Sequence, residues 1–201
     1  MPSYLPTPQP VESMWGAIDS ADQILPGIWQ VSTPSHGGFM LTEQRQQGVP
    51  ECLRVDGLQY EEDVHWAFVV LAFENEFKAS KLPLAAGCVE LAHSTVRNWH
   101  PDRYASFTGK PVPPAESQIL RRRAAYEAAI GKLVVTSASG SWADWVPEGK
   151  VGVVARTVER VDHLGFATYG KPEVKALVDK ASYDGRGDVA LLEDFDAEIV
   201  A

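Results

Sequence analysis

The sequence has few cysteines, no long apolar segment and no excess of positive charge. Its two cysteines, Cys52 and Cys88, lie in apolar surroundings without a Cys-x-x-Cys spacing, which predicts reduced, buried thiols in a cytosolic protein. The longest apolar run, residues 64–73, is about half of the roughly 20 residues that a bilayer span requires, so no membrane role is expected. No basic patch precedes an apolar core near Met1, so no secretory signal is predicted.

The charge balance argues against nucleic acid as a direct ligand. The net charge is −9, whereas a phosphate-binding face normally appears as a basic excess. A local basic group remains in one predicted helix, formed by Arg121, Arg122 and Arg123. These arginines are interpreted either as a solvated helix face or as part of a binding surface.

Several motifs of nucleotide and hydrolase chemistry are also missing. The sequence contains no Gly-x-Gly-x-x-Gly, no phosphate-binding Gly-Lys-Ser and no Gly-x-Ser-x-Gly elbow. No cofactor is therefore expected.

The composition is that of a globular protein, with 45% hydrophobic and 22% charged residues in 201. The proline-rich residues 1–14 predict an extended or disordered arm, and residues 15–201 predict a single α+β domain. Nothing in the composition marks a second domain.

Hydrophobic patterns predict strands at both ends of the chain and helices between them. Pro26 and Gly27 predict a hairpin turn, and Thr42 is a candidate helix cap. Helices are expected at 42–46, 61–77, 84–99, 115–130 and 172–180, a connector at 101–114, and late strands at 133–137, 151–158 and 163–169. The order favours one antiparallel sheet built from the N- and C-terminal strands, with about three helices packed on one face.

The stretch STPSHGG, residues 32–38, places His36 in a predicted connection between two strands. A turn of this kind and a helix N-terminus often meet at one edge of a sheet, so we consider a site that combines His36 with three acids, Glu61, Glu62 and Asp63. Carboxylates with one imidazole suit a divalent ion or an activated water. His36 could also act as a general base that one of these carboxylates orients, with Ser32, Thr33 or Ser35 as the nucleophile, although a hydroxyl so close in sequence usually points elsewhere.

Two Glu-x-x-His pairs, Glu62 with His65 and Glu90 with His93, could each present a carboxylate and an imidazole on one helix face. The inward glutamates that a di-metal bundle takes from two other helices are missing, so no metal site is predicted from these pairs.

The stretch WHPDRY combines aromatic and charged residues at a predicted helix end. Because Trp, Tyr and Arg dominate interface energetics, it is a candidate recognition surface. The alternative is that Trp99 anchors the core and Asp102 caps the next turn. The residues in question are Trp99, His100, Asp102, Arg103 and Tyr104.

Three blocks, PGIWQVSTPSHGG at 26–38, YEEDVHWAFV at 60–69 and WVPEGKVGVVA at 145–155, resemble a bacterial domain family of unknown function associated with plasmids, prophages and other mobile elements. Residues 167–186 depart from the pattern expected there. The resemblance supplies no activity, but it implies a small protein that modulates host defence, replication or conjugation by binding a host protein.

The leading hypothesis is therefore a non-enzymatic, protein-binding accessory protein of a mobile element, such as a counter-defence inhibitor of the anti-CRISPR or anti-restriction type. The expected partner is a host or mobile-element protein in the cytoplasm. One alternative is a small metal-assisted hydrolase or transferase centred on His36 and the three acids. Another is a structural subunit of a phage or conjugation assembly.

Overall fold

The computed structural model describes residues 4–80 and 85–200 and contains two antiparallel sheets of four strands each. The chain divides into two compact units, Met1–Pro113 and Pro114–Ala201, and each contains one of these sheets with its own buried apolar cluster. Five of the described α-helices belong to the first unit and two to the second.

The first unit begins with a short hairpin and continues into its main sheet. Strands β1 and β2 pair with each other, and β3 to β6 follow in chain order across the sheet. The turn between β3 and β4 is the predicted one, and Gly27 adopts there a φ of +78° that favours glycine. The strands are β1 Glu12–Ser13, β2 Gly16–Ala17, β3 Ser20–Leu25, β4 Ile28–Ser32, β5 Gly37–Leu41 and β6 Gln59–Glu61.

The first helix of this unit lies between β5 and β6 in sequence, and the other four follow β6. Thr42 caps this first helix as predicted, since its side chain accepts a hydrogen bond from the Arg45 N–H. The predicted connector at 101–114 is wrong over its first half, because Pro101 occupies the first turn of a helix, where its missing N–H costs nothing. The helices are α1 Glu43–Gly48, α2 Trp66–Ala72, α3 Glu74–Ala79, α4 Ala85–Trp99 and α5 Pro101–Thr108. The predicted start at Leu84 lies outside the described residues.

The continuous helix predicted over 61–77 is also wrong. Glu61 ends β6 and pairs with Gly38 of β5, and residues 62–65 form a turn before α2 begins. The run then breaks at Phe73, whose ψ of 32° separates α2 from α3. The acidic residues that suggested a helix start therefore belong to a strand end and a turn.

The core of the first unit lies between its sheet and its helices. Phe68, Val69 and Val70 of α2 are fully buried and cluster with Ile28 of the sheet and Val96 of α4. Burying such side chains stabilises the fold by about 1.5–3 kcal/mol each.

One charged side chain, Arg45, is completely buried in this core. Its guanidinium donates to both carboxylate oxygens of Glu76, at 2.7 and 2.8 Å, and its Nε donates to the Pro26 carbonyl. The rings of Tyr4 and Phe73 lie 3.5 and 4.6 Å from its Cζ. Tyr4 belongs to the predicted arm, whose described part thus contributes a ring to the core.

The two cysteines are free thiols that are half-buried beside the core of the first unit. Burial, with a contribution from Glu90, raises the pKa of the Cys88 thiol. A raised pKa keeps a thiol protonated at neutral pH and makes it a poor nucleophile.

The second unit contains a four-stranded sheet with two long strands. One helix precedes the sheet in sequence, and another lies between its last two strands. The helix predicted at 115–130 is present as α6 Gln118–Glu127, and the sheet has the order β10-β9-β8-β7. Its strands are β7 Leu133–Ser139, β8 Lys150–Val161, β9 Ala167–Asp179 and β10 Glu198–Val200, with α7 Lys180–Asp184 after β9. Leu192 and Phe195, which lie between α7 and β10, pack on the apolar face of this sheet.

The helix predicted at 172–180 is wrong, because these residues form most of β9. Pro172 is accommodated at an irregularity in the pairing with β8, where the register shifts between Arg156 and Val158. A proline in a strand is tolerated at such a bulge, where no ladder hydrogen bond is needed.

The structure confirms the α+β class and corrects its details. The N-terminal and C-terminal strands form separate sheets instead of one, and the described residues contain seven α-helices instead of about three. The N-terminal strands end in one sheet whose last strand is β6, at Glu61, whereas the C-terminal strand β10 pairs with β9 in the other sheet.

Candidate functional site

His36 lies in the turn between β4 and β5, as predicted, and its contacts are those of a turn residue. Its N–H donates to the Thr33 Oγ1 at 3.1 Å, and its carbonyl accepts from the Thr33 hydroxyl at 2.8 Å. The imidazole is exposed, and its Nδ1 lies 3.0 Å from the Ser35 Oγ. Thr33 therefore closes the turn and is not placed as a nucleophile.

The turn that contains His36 and the acidic residues 61–63 are brought together through backbone pairing. Gly38 pairs with Glu61, and a Cβ added to Gly37 would lie 2.8 Å from the Glu62 Oε2. Within the described residues, no ion pair or hydrogen bond joins the His36 ring to Glu61, Glu62 or Asp63. Glu61 and Glu62 approach the glycines of the turn, whereas the His36 ring lies next to Ser35.

Glu61 organises the turn that leads into α2. Its carboxylate accepts hydrogen bonds from the N–H groups of Val64 and His65, both at 2.9 Å, and from that of Asp63. It also lies 3.5 Å from the His65 Nδ1. Burial works to raise the pKa of Glu61, but these N–H groups and His65 together lower it below its usual value. Glu61 is thus held as a carboxylate beside an imidazole.

A cluster of rings and charges surrounds this pair, and we call it the histidine cluster: Glu61, His65, Phe68, His100 and Arg103. The ring centroids of His65 and His100 are 5.9 Å apart, and each lies just over 5 Å from Phe68. The Arg103 guanidinium lies over Phe68 at 5.3 Å. Burial, with Arg103 and His65, lowers the pKa of His100 to about 4, so its imidazole is neutral at pH 7.

Within the described residues, no hydrogen bond or ion pair joins the members of either Glu-x-x-His pair. His65 contacts Glu61 instead of Glu62, and His93 lies 3.5 Å from Glu74 and 3.1 Å from the Tyr104 hydroxyl. Throughout the described part of the chain, no group of three or more His, Cys, Asp or Glu side chains is arranged to hold a metal ion.

The predicted recognition stretch is largely occupied by contacts within the first unit. Arg103 donates to the Arg54 carbonyl at 2.9 Å, Tyr104 contacts His93, and His100 packs on Phe68. Asp102 is exposed in the first turn of α5, where its negative charge favours the helix N-terminus. Trp99, at the end of α4, is 44% exposed.

The three arginines lie on α6 of the second unit. Arg121 is exposed, the Arg122 guanidinium lies 4.4 Å from the Phe166 ring, and Arg123 donates to the His163 carbonyl at 3.2 Å. Two of the three are therefore in contact with the β8–β9 turn.

The sequence analysis missed the most exposed aromatic side chain of the second unit. Trp142 is 80% exposed in the connection between β7 and β8, which we call the tryptophan loop, residues 140–149. Trp145 in the same loop is anchored, because its ring fills the space above Gly152, where a Cβ would lie 2.3 Å from its Cη2. Two tryptophans in a stretch rich in glycine and serine were the available signal.

Fold and geometry define an α+β protein of two units, with a histidine cluster in the first and an exposed tryptophan in the second. Residues 8–130, more than half of the chain, match the family described as Domain of unknown function (DUF7007), so the chain belongs to that family. The matched part contains the histidine cluster and two of the three sequence blocks, whereas the block at 145–155 lies outside it.

No curated protein and no solved structure matches the chain significantly. Among the helices of the described residues, none combines the length and the apolar character needed to cross a membrane.

Proposed function

We propose that this protein is a non-enzymatic accessory protein of a bacterial mobile element that binds a host or mobile-element protein in the cytoplasm. The role that fits best is a counter-defence inhibitor of the anti-CRISPR or anti-restriction type. The exposed indole of Trp142 carries the binding part of this proposal. The context comes from the resemblance of the sequence blocks to a bacterial domain family of unknown function that is associated with mobile elements.

An exposed indole gains free energy when a partner covers it. A tryptophan buries a large apolar area when it is covered, and it is enriched among the residues that dominate binding energy. Trp145, held over Gly152, fixes the base of the tryptophan loop, so that less order has to be gained on binding. The net charge of −9 favours a protein over nucleic acid as the partner.

Affinity capture from host lysate tests the proposal with three proteins: wild type, Trp142→Ala and Trp99→Ala. The two variants remove one exposed indole from the second and the first unit respectively. A stoichiometric partner retained by wild type and by Trp99→Ala, and lost with Trp142→Ala, supports the proposal. No partner for the folded wild type, or one whose capture survives Trp142→Ala, contradicts it.

A hydrolase or transferase is the second candidate function, and the histidine cluster favours it. Glu61 lies 3.5 Å from the His65 Nδ1, which is how a carboxylate orients a general base, and the His65 side chain is 35% exposed. Arg103 would supply positive charge for a developing anion. The base in this version is His65, because His36 is engaged in its turn.

Hydrolysis assays on carboxylic ester, phosphodiester and peptide substrates test the second candidate. An activity lost in His65→Ala and kept in His36→Ala would support it. Equal rates for wild type and His65→Ala on every substrate would rule it out.

A further inference from the structure

One edge of the sheet in the second unit is only partly covered. Strand β7 forms this edge. The segment after α7 covers its first part: Leu191 pairs with Val134, and the Val135 N–H donates to the Ala190 carbonyl at 2.9 Å. Beyond Val135, no backbone hydrogen bond reaches the outer edge of residues 136–139 from the described chain. These residues pair with β8 on their inner side, and the backbone groups that alternate residues direct outward have no strand partner among the described residues.

This edge lacks the charges that usually block strand addition. Its side chains are Thr136, Ser137, Ala138 and Ser139, with no lysine and no proline, and the first three are exposed. A bulge between Val135 and Ser137 shifts the register at the point where the internal cover ends. Exposed strand edges of this kind pair readily with an extended segment of another chain.

The tryptophan loop begins where this edge ends. The Trp142 ring lies beside Gly140, since a Cβ there would be 3.2 Å from its Cδ1. The loop contains two exposed acids, Asp144 and Glu148, and no basic residue. Neither acid forms an ion pair or a hydrogen bond within the described chain.

The lysines next to the loop do not neutralise it. Lys150 pairs with Asp179 at 3.2 Å, and Lys180 pairs with Asp184 at 2.6 Å. The surface thus offers unpaired backbone groups, an exposed indole and two free carboxylates in succession along the chain.

From this arrangement we infer that the partner of the proposed function contributes an extended, lysine- or arginine-containing segment that adds as a strand to residues 136–139 of β7. Its backbone pairs with the free edge, its basic side chains meet Asp144 and Glu148, and one lies over the Trp142 ring as a cation–π pair. A second copy of this chain is a poorer occupant, because each molecule carries a net charge of −9. The inference rests on the proposed function and specifies the chemistry of the partner.

The test uses the full-length protein and two labelled peptides, one alternating lysine with valine and one alternating glutamate with valine. Binding is followed by fluorescence anisotropy, and amide hydrogen exchange of residues 136–139 is followed by NMR. The lysine peptide is expected to bind and to slow exchange of amides in this stretch. The glutamate peptide is expected not to bind.

Two variants locate the contact. Trp142→Ala and the double variant Asp144→Asn/Glu148→Gln are each expected to weaken binding of the lysine peptide about tenfold. The matched control Glu43→Gln/Glu51→Gln removes two exposed charges from the first unit and is expected to leave binding unchanged. Equal weakening by this control would mean that net charge alone attracts the peptide, which overturns the inference.

Three further outcomes would overturn the inference: equal binding of both peptides, binding without protection of residues 136–139, and protection of the edge by self-association without peptide. Capture from host lysate distinguishes a failure of the strand-addition inference from a failure of the proposed function. If capture depends on Trp142 while the lysine peptide does not bind, the strand-addition inference fails and the proposed function stands. If capture does not depend on Trp142, the proposed function fails as well.

Discussion

Arg45 and Glu76 illustrate how one buried charge depends on one partner. The Arg45 side chain has no exposure, whereas the Glu76 side chain is 34% exposed. Because Glu76 supplies the only negative charge paired with this guanidinium among the described residues, its loss would leave a buried charge uncompensated.

We expect Glu76→Gln to lower the free energy of unfolding by about 2–4 kcal/mol, since breaking a buried pair from one side leaves the other ion in the core. The matched control is Glu193→Gln, which removes an exposed carboxylate paired with Lys132 and should cost less than about 1 kcal/mol. Urea denaturation measures both. Similar losses for the two variants would contradict the role assigned to Arg45.

Gly38 is the residue at which the turn of His36 meets the acidic stretch. It has a φ of +153°, and a Cβ at this position would lie 2.1 Å from the Tyr60 carbonyl oxygen. Gly57 also has a positive φ, +88°, but nothing lies within 4 Å of its added Cβ. The pair therefore separates backbone strain from a steric clash.

We expect Gly57→Ala to lower the free energy of unfolding by about 1 kcal/mol through strain alone, and Gly38→Ala to lower it by at least about 3 kcal/mol, because β6 must also move away from β5. Chemical denaturation of both variants gives the comparison. Equal effects would show that the close approach of β6 is not needed for stability.

At the scale of elements, the junction of α4 and α5 connects packing to pH. His100 lies between these helices, and its ring is in contact with Phe68 of α2 and near His65 and Arg103. Burial and the neighbouring positive charge both disfavour the protonated imidazole in the folded protein.

The pKa of His100 falls from 6.5 in the unfolded chain to about 4 in the folded one, so the unfolded state binds the proton first on acidification. The contribution of His100 to the free energy of unfolding is therefore fully present above pH 6.5 and is lost as the pH falls through about 4. After allowance for partial exposure, it amounts to about 1–2 kcal/mol.

Denaturation at a series of pH values should show stability falling between pH 6.5 and 4, with a smaller slope in His100→Gln. The slope is the informative quantity, because the substitution also changes packing. An unchanged slope would mean that His100 is not the group that titrates.

Sequence signals from neighbouring residues predicted the turns and helix caps that those same residues determine. The turn at Pro26 and Gly27 and the cap at Thr42 depend on neighbouring residues, and both are present. Glu61 was misassigned to a helix because its pairing with Gly38 links distant parts of the chain. Pro172 misled for the same reason, since the bulge that accepts it is formed with β8.

Partnerships at the candidate site depend on tertiary structure more than the local elements do. From the sequence, Glu61 was considered together with His36, whereas in the structure the imidazole beside its carboxylate is that of His65, because a turn and not a helix joins the two residues. In the tryptophan loop, Trp145 packs over Gly152 while Trp142 is exposed, and no pattern in the sequence indicates which of the two tryptophans packs.

For the whole molecule, the excess of acidic over basic residues has a thermodynamic effect of its own. The 27 acids and 18 bases give self-repulsion in the compact state, which dissolved salt screens. This effect acts on the whole chain and is separate from any single ion pair.

We expect the midpoint of thermal unfolding at pH 7 to rise by about 1–4 °C when sodium chloride is raised from low to moderate concentration, which corresponds to about 1 kcal/mol or less for a chain of this size. Differential scanning calorimetry provides the measurement. A fall in the midpoint would indicate that favourable ion pairs outweigh the general repulsion.

The ring of Tyr4 over Arg45 has a practical consequence for handling the protein. Flexible-looking, proline-rich leaders are commonly trimmed to help crystals grow, and residues 1–14 have that appearance. Trimming here would strip the closest aromatic cover from a guanidinium in the core and would also remove Thr7, whose hydroxyl accepts from the Trp29 indole at 2.9 Å. A shortened protein that aggregates would therefore report damage to the core and not the loss of a solubilising tail.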